Sequence, residues 1–151
     1  MLRSLLGSLH LLGLGIGLGA IVVRAWALRR VTDGHDRQAW VARALMADNL
    51  WGLAALLWIG PGLLRAFGGW EKGTAFYLDS TGFWIKMGLF IITVSLELWP
   101  MITLIRWRIA EGRGQEIDTT PAAMMARISE VEAALTVLIV IVAGWMARGV
   151  L

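Results

Sequence analysis

Four long apolar runs, over residues 2–28, 41–67, 81–107 and 122–149, account for most of the chain. Each exceeds the roughly 20 residues that a helix needs to cross about 30 Å of hydrocarbon, so the spans are expected to tilt or to run on into the headgroups. Helices are required, because lipid cannot satisfy free backbone N–H and C=O groups. The sequence therefore predicts an all-α, integral membrane four-helix bundle that forms a single domain over residues 1–151.

Composition agrees with this. Hydrophobic residues make up 58% of the 151 and charged residues only 17%, against about a quarter charged in an ordinary soluble domain. The first run has a signal-like beginning. It continues through Val22, Val23, Trp26 and Leu28, past the ~7–15 residues of a signal-peptide core, so it is expected to be a retained first span. Cysteine is absent, which excludes disulfide and thiolate chemistry. The net charge of +3 does not point to nucleic acid, because the arginines flank apolar runs and form no basic stripe interleaved with aromatics.

Those arginines predict the orientation. Arg24, Arg29, Arg30, Arg37 and Arg43 surround the first connection, and Arg106, Arg108, Arg113 and Arg127 surround the third. Arg65 and Lys72 lie near the second connection, and Arg3 and Arg148 near the termini. The positive-inside bias puts the first and third connections in the cytoplasm and both termini outside, in a multi-pass protein of the inner (plasma) membrane. Gly68-Gly69 is expected to end the second helix after a kink at Gly60-Pro61-Gly62, and Thr120-Pro121 to cap and start the fourth.

Polar residues inside the runs fall on helical stripes. The first run carries His10, Gly13, Gly17, Ala20 and Arg24 on one face, and the second carries Asp48, Trp51, Ala55, Trp58, Gly62 and Arg65. The third carries Lys86, Phe90, Thr93, Glu97 and Pro100, and the fourth Arg127, Glu130, Ala134, Val137, Ile141, Gly144 and Arg148. Ionisable groups at mid-bilayer cost a few kcal/mol or more, so all four stripes are expected to face inward.

Depth sorts the polar groups into two layers. At ~1.5 Å per residue, His10 lies ~12 Å and Lys86 ~8 Å from the starts of two parallel spans, a depth shared by Arg65 and Lys72. Arg24, Asp48, Glu97, Arg127 and Glu130 fall in the other half. That second group is expected to be a structural ion-pair network, with a proton path as its functional alternative.

His10 is either a bridge between helices or a ligand for haem iron or another transition metal. Lys86 either snorkels to the interface or supplies a neutral amine as a second axial ligand. The G-x-x-x-G spacings through Gly13 and Gly17 favour close helix packing, within the bundle or across a homodimer, although bare backbone beside His10 would also admit a flat macrocycle. Arg65 and Lys72, with Trp70 and Tyr77, read as an interfacial belt or as a clamp for tetrapyrrole propionates. The methionines, without cysteine or clustered histidine, are a weak case for a copper site.

The stretch from Glu71 to Tyr77, the segment Phe83-Trp84-Ile85-Lys86-Met87-Gly88-Leu89-Phe90 and the pair Pro100-Met101 resemble the signature of a bacterial family of small four-span membrane proteins. More distantly, the chain is similar to the HemJ-type membrane protoporphyrinogen oxidases and the copper-resistance protein D group. In the HemJ type, a first-span histidine and a third-span lysine in a Trp-x-Lys setting are tied to haem b, and His10 and Trp84-Ile85-Lys86 match them. Arg24 resembles that family's first-span arginine. Arg127 and Ser129-Glu130-Val131 resemble its last-span element, with Ser129 in place of asparagine and Glu132 in place of proline.

The resemblance implies a small membrane b-type haem protein working in electron transfer or in oxidation of a hydrophobic porphyrinogen- or quinol-like substrate. Its implied cofactor and metal residues are His10 and Lys86, with Gly13, Gly17, Arg65, Lys72 and Trp84 around the cofactor, and Arg24 and Glu130 join the histidine and lysine in its chemistry. The alternatives are a cofactor-free transporter or channel subunit and a structural partner of a larger membrane complex.

Overall fold

A computed structural model describes residues 1–69 and 74–151; Trp70, Glu71, Lys72 and Gly73 lie outside the described residues. The helices are α1 (Leu2–Thr32), α2 (Arg37–Phe67), α3 (Thr74–Leu78), α4 (Thr81–Gly112) and α5 (Ala122–Ala147). Four of them, α1, α2, α4 and α5, are long and apolar enough to span a membrane. No strand occurs among the described residues. The expected all-α bundle is thus the observed one, and the short α3 between the second and third spans is an element that the apolar pattern did not indicate.

The helices outrun the apolar runs at one end of the bundle. α1 continues through Arg29 and Arg30 to Thr32, α2 begins at Arg37, and α4 carries on to Gly112. Arginine is a good helix former, and a cation in the last turn of α1 also complements that helix's C-terminal dipole. The link from α1 to α2 is correspondingly tight, and its turn is made by Gly34 at φ +81° and Asp36 at φ +50°. Aspartate is one of the few side chains that tolerate this left-handed region. Pro61 sits inside α2, which runs on to Phe67.

The start of α5 differs from the expected cap. Pro121 is the N-cap and makes no side-chain capping bond. Instead, the Thr120 N–H donates to Asp118 Oδ1 at 3.0 Å and closes a local turn. Hydrogen bonds from the Thr120 hydroxyl and backbone hold the Asp118 carboxyl below its ordinary range. A carboxyl depressed in the fold contributes stability above its unfolded value and loses it as pH falls through the folded value. Acidification below the usual carboxylate range is therefore expected to loosen this turn, measurable as faster exchange of the Thr120 amide.

Buried apolar residues stack in three tiers along the bundle. One end packs Leu28 and Val31 of α1, Val41 and Leu45 of α2, Leu104 and Trp107 of α4, and Met125 of α5. The middle tier holds Ile21, Trp51, Trp58 and Ile139, and the far end holds Ala66, Tyr77 and Phe83. The starts and ends of successive spans alternate between these ends, so neighbouring helices run antiparallel. α1 packs most extensively on α2, α5 bridges α1 and α4, and α2 and α4 meet only sparingly. Outward-facing side chains such as Leu12, Leu56, Ile91 and Val131 are at least half exposed. A surface this apolar is matched by acyl chains, not by water.

Three of the predicted inward stripes are observed. Gly13, Gly17, Ala20 and Arg24 are buried on α1, Asp48, Trp51 and Trp58 on α2, and Thr93 and Pro100 on α4. The α5 stripe is not. Arg127, Glu130, Ala134, Val137 and Ile141 are exposed, and the buried face is Met125, Ala126, Ser129, Glu132, Thr136, Ile139 and Val142. Both stripes obey the same periodicity. The buried one brings Ser129, Glu132 and Thr136 to the interior, while the long side chains of Arg127 and Glu130 reach out from the bundle.

Candidate functional site

The polar interior has two centres separated by the middle apolar tier. The first is built on Arg24, which is fully buried between the two tiers that contain Ile21 and Leu28. Its Nε donates to Ser129 Oγ at 3.0 Å. Its Nη1 donates to Asp48 Oδ1 and Glu97 Oε1, both at 2.8 Å. Its Nη2 donates to Glu97 Oε2 at 2.6 Å and to Glu132 Oε2 at 2.8 Å. All five N–H groups of the guanidinium are therefore used, and every other spanning helix supplies an acceptor.

Arg108 extends this cluster by donating its Nη2 to Asp48 Oδ2. The bidentate fork onto Glu97 is the geometry that makes arginine, unlike lysine, suited to a buried carboxylate. Arg24, Asp48 and Glu97 come together as the sequence predicts. Arg127 and Glu130 do not. Glu130 lies at the surface and pairs with Arg29, the two side chains being 43% and 56% exposed, so its expected place in the interior is corrected in favour of Glu132. Ser129, Glu132 and Arg108 are the members that sequence reasoning missed. A signal for them existed: Ser129, Glu132 and Thr136 share one face of α5, and the α4 stripe continues at helical spacing from Glu97 to Leu104 and Arg108.

The second centre is a cavity of about 530 Å³ towards the end that carries the chain termini. Its lining includes His10 from α1, Trp58, Gly62 and Arg65 from α2, Tyr77 from α3, and Phe83, Lys86 and Phe90 from α4, with α5 closing the remaining side. His10 and Lys86, predicted to share a depth, do share this cavity. The sparse contact between α2 and α4 leaves room for it.

His10 is held by a specific bond. Its Nδ1 lies 2.7 Å from the carbonyl oxygen of Trp58. A carbonyl only accepts, so Nδ1 carries a proton, and in the neutral ring the lone pair is on Nε2. Gly62 makes the ring's position available, because a Cβ there would stand 2.9 Å from His10 Cε1. The Lys86 ammonium lies 5.4 Å from the centroid of Phe83, within cation–π range.

Other predicted cofactor residues lie elsewhere. A Cβ on Gly13 would meet the Trp58 nitrogen at 2.7 Å, and one on Gly17 the Trp51 ring at 3.0 Å. The space beside these two glycines is filled by α2, so they serve helix packing and offer no room for a macrocycle. Trp84 faces outward at 56% exposure and donates its indole N–H to the Leu78 carbonyl at 2.9 Å. Lys72 and Trp70 lie outside the described residues. Among the described residues, no group of three or more His, Cys, Asp or Glu side chains is arranged to hold a metal ion.

Four apolar spans enclosing a buried arginine–carboxylate cluster define a multi-pass helical membrane protein. The chain belongs to the family described as predicted membrane protein (DUF2214), whose sequence model covers residues 2–151. No curated protein and no solved structure matches it.

Proposed function

We propose that the protein is a small membrane b-type haem protein with a redox role, its cofactor held in the His10–Lys86 cavity. The observation that carries this reading is the His10 tautomer. A backbone carbonyl that fixes Nδ1–H and leaves the lone pair on Nε2 is the usual outer-shell arrangement of a metal-ligating histidine. A cavity of about 530 Å³ falls in the roughly 300–1,000 Å³ range of cofactor sites, with the expected apolar walls and few polar groups. The similarity of His10 and Trp84-Ile85-Lys86 to the HemJ-type pattern supports the same cofactor.

In this reading His10 Nε2 and Lys86 would hold the iron, and Arg65 would neutralise the propionates. The haem supplies one-electron redox chemistry when bound. The chain excludes water with Phe83, Phe90 and Trp58 and fixes the imidazole through Trp58 and Gly62. The gap between α2 and α4 suits a hydrophobic substrate or electron donor, such as a porphyrinogen or quinol, that arrives through the bilayer.

Protein purified in detergent from haem-replete cells is expected to show a sharp Soret band. His10→Ala should weaken that band severalfold, and Lys86→Met should keep it but change the spin state. A colourless wild-type preparation would reject the haem and favour a cofactor-free transporter or a structural subunit. A spectrum unchanged in Lys86→Met would remove the lysine from the ligand set and leave His10 in place.

A further inference from the structure

The Arg24 cluster contains one more acid than base. The groups that face one another are Arg24 from α1, Asp48 from α2, Glu97 and Arg108 from α4, and Glu132 from α5, with the Ser129 hydroxyl on Arg24 Nε. Three carboxyl groups therefore share two guanidinium groups. Apolar tiers close the cluster above and below, and a surplus charge in such a place is costly unless a counter-charge accompanies it.

A second observation marks where that counter-charge sits. Glu132 is fully buried, and its Oε1 has no hydrogen-bond partner, whereas its Oε2 is taken by Arg24. Glu97 Oε2 and Glu132 Oε2 also accept from the same nitrogen, Arg24 Nη2, at 2.6 and 2.8 Å. Two carboxyl groups drawn onto one amino group repel each other if both are ionised, and pairs of this kind share a proton.

We propose that this cluster is a proton-binding site in the membrane interior, with one proton held by the Glu97–Glu132 pair and Glu132 Oε1 as the oxygen that carries it. The ligand balances the cluster at three positive and three negative charges, and a neutral carboxyl costs less to bury with an unpaired oxygen than an ionised one does. The site is built without the His10 cavity, so it stands whether or not that cavity holds a cofactor. A monovalent metal cation of the same charge is the competing occupant.

Infrared spectra of the full chain in liposomes, at neutral pH in sodium-free buffer, test this in H2O and D2O. One protonated-carboxyl C=O stretch is expected, moving to lower frequency in D2O. It should vanish in Glu132→Gln and in Glu97→Gln, each of which removes the surplus charge, and persist in Glu130→Gln. Absence of the band from the wild type would overturn the proposal, and so would a band that survives both Glu132→Gln and Glu97→Gln. A sodium-dependent rise in melting temperature without the band would assign the place to a metal cation and also overturn it. The wild-type spectrum decides even where a variant fails to insert.

Discussion

Arg24→Met is expected to be the most damaging single substitution in the chain, lowering stability by about 3–5 kcal/mol. The methionine fills much of the same volume, so the loss comes from what it leaves behind. Asp48, Glu97 and Glu132 would face one another with only Arg108 as counter-charge, and Ser129 Oγ would lose the Arg24 donor. The measurement is the melting temperature, or the folded fraction after detergent extraction. Adding Glu132→Gln to Arg24→Met should restore part of the loss, because it removes one of the three stranded acids. The control is Arg29→Met, which breaks a half-exposed ion pair outside the buried cluster and should cost at most about 1 kcal/mol. Equal losses from Arg24→Met and Arg29→Met would mean that the buried cluster does not hold the bundle together.

Gly13→Leu is expected to have the next largest effect. A Cβ at this position would stand 2.7 Å from the Trp58 nitrogen and 2.8 Å from the Leu57 carbonyl carbon. These are backbone atoms of α2, which no rotamer change can move. α1 and α2 would have to separate along their main contact, at a cost of about 1–3 kcal/mol or more. The strain falls on the residue whose carbonyl anchors His10, so any haem signal should fall along with thermal stability. Gly15 and Gly19, on the opposite face, have nothing within 4 Å of an added Cβ, and Gly15→Leu and Gly19→Leu should leave the melting temperature nearly unchanged. If the Gly15 and Gly19 variants were as damaging as Gly13→Leu, the interface in solution would be a different one.

Much of this arrangement can be read along the chain. Apolar runs of this length admit only spanning helices, because lipid offers no hydrogen bonds to an irregular backbone. The inward faces of the first three spans were also legible, since each combines glycine or tryptophan with ionisable groups at helical spacing. The fourth span was ambiguous. Arg127 and Glu130 on one face compete with Ser129 and Glu132 on another, and both faces satisfy a period of 3.6 residues. Long side chains near a helix end reach the interface without facing inward, and Arg29 gives Glu130 a partner there. Charge alone is therefore a poor guide to facing in the first two turns or so of a span.

The sequence by itself determined the number of spans, the all-helical architecture, and the placing of His10 with Lys86 in one layer and Arg24 with Asp48 and Glu97 in another. These follow from local rules of length, periodicity and rise per residue. Only the tertiary structure decided that Glu132 and Ser129 complete the Arg24 cluster, that α2 fills the space over Gly13 and Gly17, and that the Trp58 carbonyl fixes the proton on His10. Each of those depends on the rotation of one helix against another. That rotation is set by the packing and hydrogen bonding of residues distant in the chain, which no single helix encodes.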